Sequence, residues 1–172
     1  MFTIRRATPA DAVLLSALSR ETFVETFGHL YARADLHTFL DETYAPSELA
    51  RLLSNPELAC WLAYDLDVAV GHALAGPCSL PHEDVRPDHG EVKRLYLVAA
   101  AQNRGWGGLL LDAALAWLER EGPCTLWLGV YSENFGAQRF YNRRGFDTVG
   151  AYLFPVGAAR DRELIMRRTA AT

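Results

Sequence analysis

The stretch Gln102-Asn103-Arg104-Gly105-Trp106-Gly107-Gly108 restricts this chain more than any other. It joins an apolar, β-type run, Val92–Val98, to a strongly periodic helical segment, Gly107–Glu121. In that segment Leu110, Leu111, Ala114, Leu115 and Leu118 share one face. Closely spaced glycines at such a junction let the backbone turn tightly and present several N–H groups together. The helix that follows adds its unpaired N–H groups and its positive end. The arrangement suits an anion, most naturally a pyrophosphate, with Arg104 as a charge-assisted partner. A dinucleotide fingerprint would need a third glycine where Leu110 stands, and a Gly-Lys-Ser/Thr loop is absent. On these residues alone, a glycine turn that merely starts a helix remains the other reading.

The rest of the chain reads as one mixed α/β domain over 1–172. Phe2–Arg6 is a strand. Thr8-Pro9-Ala10-Asp11 opens a helix whose apolar positions are Leu14, Ala17, Leu18, Val24 and Phe27. Further helices are expected over Ala34–Thr43 and from Pro46 to just before Asn55-Pro56. Leu58–Tyr64 and Val68–Ala75 form a hairpin, and Pro77–Gly90 is a polar loop. Thr125–Val130 is a strand and Asn134–Arg143 a short helix. Phe146–Phe154 and Glu163–Met166 close the chain as strands.

A net charge of -4 argues against a general nucleic-acid partner. Cys60, Cys78 and Cys124 are too scattered for a disulfide framework, which points to a reducing compartment. The N-terminus lacks an apolar signal core, and no apolar run approaches membrane-spanning length. A cytoplasmic protein without a membrane partner is expected. Cys78, His82, Glu83, Asp84, Asp88 and His89 crowd one loop, but their spacing fits no closed zinc pattern, so no metal is expected.

Asn134 and Tyr141 lie seven positions apart with Ala137 between them. At about 3.6 residues per turn they share a helix face, so an amide, a small residue and a phenol line one groove. Alternatively, Asn134 caps the helix and Tyr141 belongs to the core.

Leu95-Tyr96-Leu97-Val98, Gln102-x-x-Gly105-x-Gly107 and Asn134-x-x-Ala137-x-x-Phe140-Tyr141-x-x-x-Gly145-Phe146 resemble, in order and spacing, the cofactor signature of the GNAT acyltransferase superfamily. The resemblance implies a mostly antiparallel mixed sheet with one splayed parallel strand pair, Val92–Val98 and Thr125–Val130, and helices on both faces. It implies acetyl-CoA as cosubstrate. The backbone at Leu95, Tyr96 and Leu97 would meet the acyl and pantetheine portion. Asn103, Arg104, Gly105, Trp106, Gly107 and Gly108 would wrap the pyrophosphate, and Asn134 would contact the pantetheine arm. Glu21-Thr22-Phe23-Val24-Glu25-Thr26-Phe27-Gly28, Lys93-Arg94-Leu95-Tyr96 and Leu126-Trp127-Leu128-Gly129-Val130 are similar to the bacterial spermidine/spermine N-acetyltransferase branch.

The implied reaction moves an acetyl group from a thioester to a primary amine, with a polyamine first among acceptors. A protein N-terminal or lysine acetyltransferase, and a non-catalytic acyl-CoA sensor, are the alternatives. A main-chain N–H near Leu97 would hold the thioester carbonyl, and Tyr141 would be the general acid that protonates the leaving thiolate. Some members of the family carry a glutamate base on the strand equivalent to Thr125–Val130, but Gly129 stands there. Histone-acetyltransferase members use a glutamate fourteen residues before the first motif glycine, and counting back from Gly105 lands on Glu91. Glu91 is therefore the candidate base; a strand-end carboxylate paired with Lys93 is the other reading. Glu21, Glu25, Asp35, Asp41 and Glu42 either present acid to a cationic acceptor or form a solvated helix face. A homodimer is expected from the resemblance alone.

Overall fold

The computed structural model describes residues 1–171. Strand β2 (Ala59–Asp65) shows why the sheet lies in the middle of the molecule: its first five residues are all buried. Ala59, Trp61 and Ala63 enter one core, while Cys60 and Leu62 enter another on the opposite face. The same alternation divides Ala73 and Ala75 from Leu74 on β3 (Val68–Pro77). An antiparallel strand with two buried faces has to be sandwiched between layers. Burying a leucine such as the fully enclosed Leu62 contributes roughly 1.5–3 kcal/mol.

The other strands are β1 (Phe2–Arg6), β4 (Gly90–Leu97), β5 (Leu126–Tyr131), β6 (Asp147–Val156) and β7 (Ala159–Arg168). Among the described residues seven strands form one sheet in the order β1-β2-β3-β4-β5-β7-β6. Helices α1 (Ala12–Phe27), α2 (Arg33–Thr43) and α3 (Pro46–Leu53) carry residues of the core on one face. Helices α4 (Trp106–Leu118) and α5 (Phe135–Asn142) carry residues of the core on the other, so helices flank both faces as the family resemblance implies.

Two local expectations change. Residues Pro9–Asp11 form a 3-10 turn before α1, held by the Asp11 carboxylate accepting the Thr8 N–H at 2.8 Å. The buried face of α1 is also rotated. Leu14 and Val24 are 39% and 42% exposed, while Leu15, Leu18, Phe23 and the small polar residues Ser16, Ser19 and Thr22 are buried. Ser16 Oγ donates to the Tyr44 carbonyl and Thr22 Oγ1 to the Leu18 carbonyl, which satisfies these two hydroxyls, whereas the buried Ser19 hydroxyl has no partner among the described residues.

The strand β4 decides the shape of the site. Leu74 pairs with Arg94 and Ala75 with Val92, which leaves Lys93 as the extra residue of a β-bulge. A bulge bends its strand and increases the local twist. Among the described residues the parallel ladder between β4 and β5 contains only Gly90–Leu126 and Glu91–Trp127. Beyond the bulge each strand keeps its outer neighbour, β4 through Leu97–Gly71 and β5 through Tyr131–Glu163. The two inner edges therefore part, and their backbone groups require other partners.

Candidate active site

The opening between β4 and β5 is a cleft of about 690 Å³. Leu95, Tyr96 and Leu97 line its β4 side. Asn103, Gly105, Gly107 and Gly108 form its end, where the chain enters α4. Asn103 and Gly105 take φ of +61° and +79°, so the turn is built from left-handed residues. A Cβ on Gly105 would meet nothing within 4 Å, so glycine is required there by the dihedral angle and not by space. Gln102 Nε2 donates to the Leu97 carbonyl at 3.1 Å, tying the turn to the strand end. Gly107 and Gly108, in the first turn of α4, border this end of the cleft; the Gly108 N–H donates to the Gly105 carbonyl at 3.1 Å, and the turn brings the positive end of the helix to the cleft.

Arg104 and Trp106 are placed differently from the sequence expectation, since neither side chain lines the cleft. Trp106 stacks on Phe2 of β1 with centroids 4.6 Å apart. The Arg104 guanidinium lies over the Trp106 ring and 3.6 Å from Asp65. These side chains brace the turn against β1 and the β2–β3 hairpin. Arg143 and Arg144, after α5, are the arginines that line the cleft near the turn, and Arg144 also pairs with Asp112 of α4.

On the other wall, Asn134 combines both sequence readings: it lines the cleft, and its Oδ1 caps α5 by accepting the Ala137 N–H at 3.1 Å. Tyr141 also lines the cleft while packing against Phe140 and Phe146. It is 8% exposed, and burial raises its phenol above the ordinary tyrosine range, so the hydroxyl stays protonated.

A second cavity, of about 870 Å³, lies beside the first. Tyr31, Phe39, Tyr44 and Phe154 give it an aromatic wall, and Glu42, Glu91, Asp161 and Glu163 give it acid. Both cavities share Phe27, Lys93, Arg94, Tyr96, Gly129, Tyr131 and Glu163. Glu91 is buried and borders the second cavity without lining the first. Its Oε2 accepts from Lys93 Nζ at 2.8 Å, Ser79 N at 2.9 Å and Ser79 Oγ at 3.2 Å.

Most of the acids singled out in the sequence are engaged elsewhere. Glu25 accepts the Ala99 N–H, Asp35 accepts the Ala158 N–H, and Asp41 pairs with Arg20. Of that set Glu42 lines the second cavity. Asp161 and Glu163 carry no mark in the sequence, because no local pattern separates them from other polar residues of a closing strand. Among the described residues there is no group of three or more His, Cys, Asp and Glu able to hold a metal, and no helix long and apolar enough to cross a membrane.

An elongated cleft with unpaired strand edges along it and a helix N-terminus at one end suits a ligand that is amide-rich along its length and anionic at its end. The second, acid-lined cavity adjoins it, so the two spaces can hold two ligands side by side. Comparison with known proteins agrees, and the chain belongs to the acetyltransferase (GNAT) family, whose profile matches residues 20–146. It is an acetyl-CoA-dependent transferase that acts on an amine. An uncharacterized N-acetyltransferase of Lactobacillus delbrueckii subsp. lactis is 31% identical over 153 residues, 88% of each chain. The [ribosomal protein bS18]-alanine N-acetyltransferase of Escherichia coli K12 is 26% identical over 145 residues, 80% of this chain and 85% of its own. The crystal structure of PaiA N-acetyltransferase from Thermoplasma acidophilum in complex with coenzyme A shares the fold, with a TM-score of 0.79 and 20% identity. That likeness covers 98% of this chain and 99% of the other.

Proposed function

We propose that this enzyme transfers the acetyl group of acetyl-CoA to the α-amine of a peptide or protein N-terminus. The observation that carries a transfer reaction is the meeting of the two cavities at Gly129, Tyr131 and Glu163. A thioester delivered along the cleft and an amine delivered through the second cavity come together there. In this reading Leu95, Tyr96 and Leu97 hold the pantetheine and acyl portion, the Leu97 N–H polarises the thioester carbonyl, and residues 103–108 and Asn134 hold the rest of the cofactor. Tyr141 gives its proton to the departing sulfur. The peptide acceptor is supported by the E. coli relative, whose name states an alanine of ribosomal protein bS18 as its substrate.

A polyamine is the second reading. Its support is the lining of the second cavity, where Glu42, Glu91, Asp161 and Glu163 stand among aromatic rings, a setting that favours a cationic amine. The cytoplasm is the proposed compartment, in keeping with unpaired Cys60, Cys78 and Cys124. Homodimer formation remains a proposal from the resemblance, tested by light scattering on the purified chain.

An acceptor panel with free-thiol detection tests the reading. It would contain a peptide with a free N-terminal alanine, the same peptide Nα-blocked with an internal lysine, spermidine and spermine. Thiol release with the free peptide, and mass spectra locating the acetyl group on its N-terminus, are expected. Transfer to the polyamines alone would replace the leading acceptor by the second, and transfer to the blocked peptide alone would point to a lysine.

A further inference from the structure

We propose that Glu163 is the general base of the transfer, accepting the proton of the acceptor ammonium where the two cavities meet. The inference rests on the transferase reading above and assigns a residue that the cofactor motif does not contain.

The starting observation is a missing side chain. Residue 129 stands on β5, at the edge that faces the cleft, and it is glycine. A Cβ there would stand 2.8 Å from Glu163 Oε2 and 2.9 Å from Tyr152 Oη. The space in front of β5 into which a side chain at position 129 would project is thus filled by a carboxylate from the adjacent strand β7. Glu163 arrives there because β7 pairs with β5 in a register that sets Tyr131 opposite Glu163. Glycine at 129 is the condition for that approach.

Position separates the two candidate carboxylates. Glu163 lines both the cofactor cleft and the acceptor cavity, whereas Glu91 lines only the latter. Partners separate them further. One Glu91 oxygen holds three donors, including the Lys93 ammonium. Glu163 Oε2 accepts a hydrogen bond from Tyr152 Oη at 2.7 Å, and among the described residues Glu163 has no salt-bridge partner. Tyr152 is a positioning residue in this scheme: it fixes the carboxylate and leaves Oε1 to meet the substrate.

The groups around Glu163 come from every neighbouring element. They are Tyr152 of β6, Asp161 of its own strand, Tyr131 of β5, Glu91, Lys93, Arg94 and Tyr96 of β4, and Tyr31, which donates a hydrogen bond to Asp161. Burial is the largest influence and lifts the Glu163 carboxyl above the usual range; the Tyr152 hydrogen bond opposes it, and Asp161 and Glu91 add to it. A carboxylate raised in this way is better matched to proton abstraction near neutral pH.

Glu163 takes one proton from the ammonium, and the neutral nitrogen attacks the thioester carbon. The C–N bond forms and the C–S bond breaks, with its electron pair passing to sulfur. Tyr141 protonates the sulfur, and a second proton lost by the nitrogen restores Tyr141. The first proton leaves from Glu163 to solvent. Acetyl-CoA and ammonium become amide, free thiol and one proton.

The test compares Glu163→Gln, Glu91→Gln and wild type in kcat/KM against pH, using the acceptor that the panel identifies, alongside the thermal shift given by acetyl-CoA. Glu163→Gln is expected to keep the acetyl-CoA shift and lose about 10²–10⁴-fold in kcat/KM. Its rate should rise tenfold per pH unit up to the pKa of the amine, in place of the plateau in wild type. A Glu163→Gln enzyme within twofold of wild type, with the acid limb unchanged, would overturn the assignment. So would loss of the acid limb in Glu91→Gln alone, or loss of the acetyl-CoA shift in Glu163→Gln. Wild type that acetylates no amine would sink the transferase reading and this inference with it, whereas active Glu163→Gln sinks the inference only.

Discussion

Removing the Tyr141 hydroxyl separates chemistry from packing better than any other single change. The ring is 8% exposed and packs against Phe140 and Phe146 at centroid distances of 5.2 and 6.2 Å. Tyr141→Phe keeps every one of those contacts. The hydroxyl makes no hydrogen bond to another described residue, so no protein partner is left unsatisfied, and the stability cost should stay within about 0.5 kcal/mol. A general acid typically contributes about 10²–10⁴-fold, equivalent to roughly 3–5 kcal/mol of transition-state stabilisation. The expected variant is one with wild-type thermal stability, wild-type acetyl-CoA affinity and kcat reduced by at least about 100-fold. The pH profile adds a second check. Because burial raises the phenol above the usual tyrosine range, Tyr141 should impose no descending limb on kcat at pH values where the fold is stable. Denaturant melts, acetyl-CoA titration and steady-state kinetics with thiol detection measure the three quantities. If Tyr141→Phe retained kcat within twofold, the acid would be another group and the phenol a packing residue.

The remaining predictions concern the turn and the core. Gly105→Ala forces a side chain into φ of +79° at a place without steric contact, so the loss is backbone strain of about 1–2 kcal/mol. Melting should show that loss, and acetyl-CoA binding should weaken as the turn relaxes; unchanged affinity would remove the turn from the cofactor site. His72 is buried against Tyr96, and burial first, with Arg94 second, lowers its pKa from 6.5 to about 3. The unfolded chain therefore binds this proton below about pH 6.5 while the folded chain refuses it. Stability should be unaffected by His72 above that pH and should fall by roughly 1 kcal/mol per pH unit between there and about pH 3. Urea melts across that window should show a shallower acid slope for His72→Gln, and equal slopes would refute the assignment.

Contiguous stretches of the sequence determined the turn-and-helix walls of the cleft. The strand–turn–helix at 90–118 and the Asn134–Tyr141 face are local objects, set by glycine dihedrals, hydrophobic periodicity and helical spacing, and each lies where those rules predict. The direction taken by Arg104 and Trp106 was not local: Phe2 and Asp65 capture them from distant strands. The phase of α1 was likewise decided by distant partners: Ser16 donates to the Tyr44 carbonyl after α2, and Thr22 lies beside His72 of β3.

The second cavity and its junction with the cleft belong to the tertiary structure. The bulge at Lys93 opens the parallel pair, and no residue at that position announces it. The last strand, β7, lies between β5 and β6 and carries Glu163 to the bare backbone of Gly129. In the sequence these are a glycine in the middle of a strand and, far downstream, an ordinary strand carboxylate. Strand order and register join them, because both are set by long-range hydrogen bonding and by two-sided burial of the sheet.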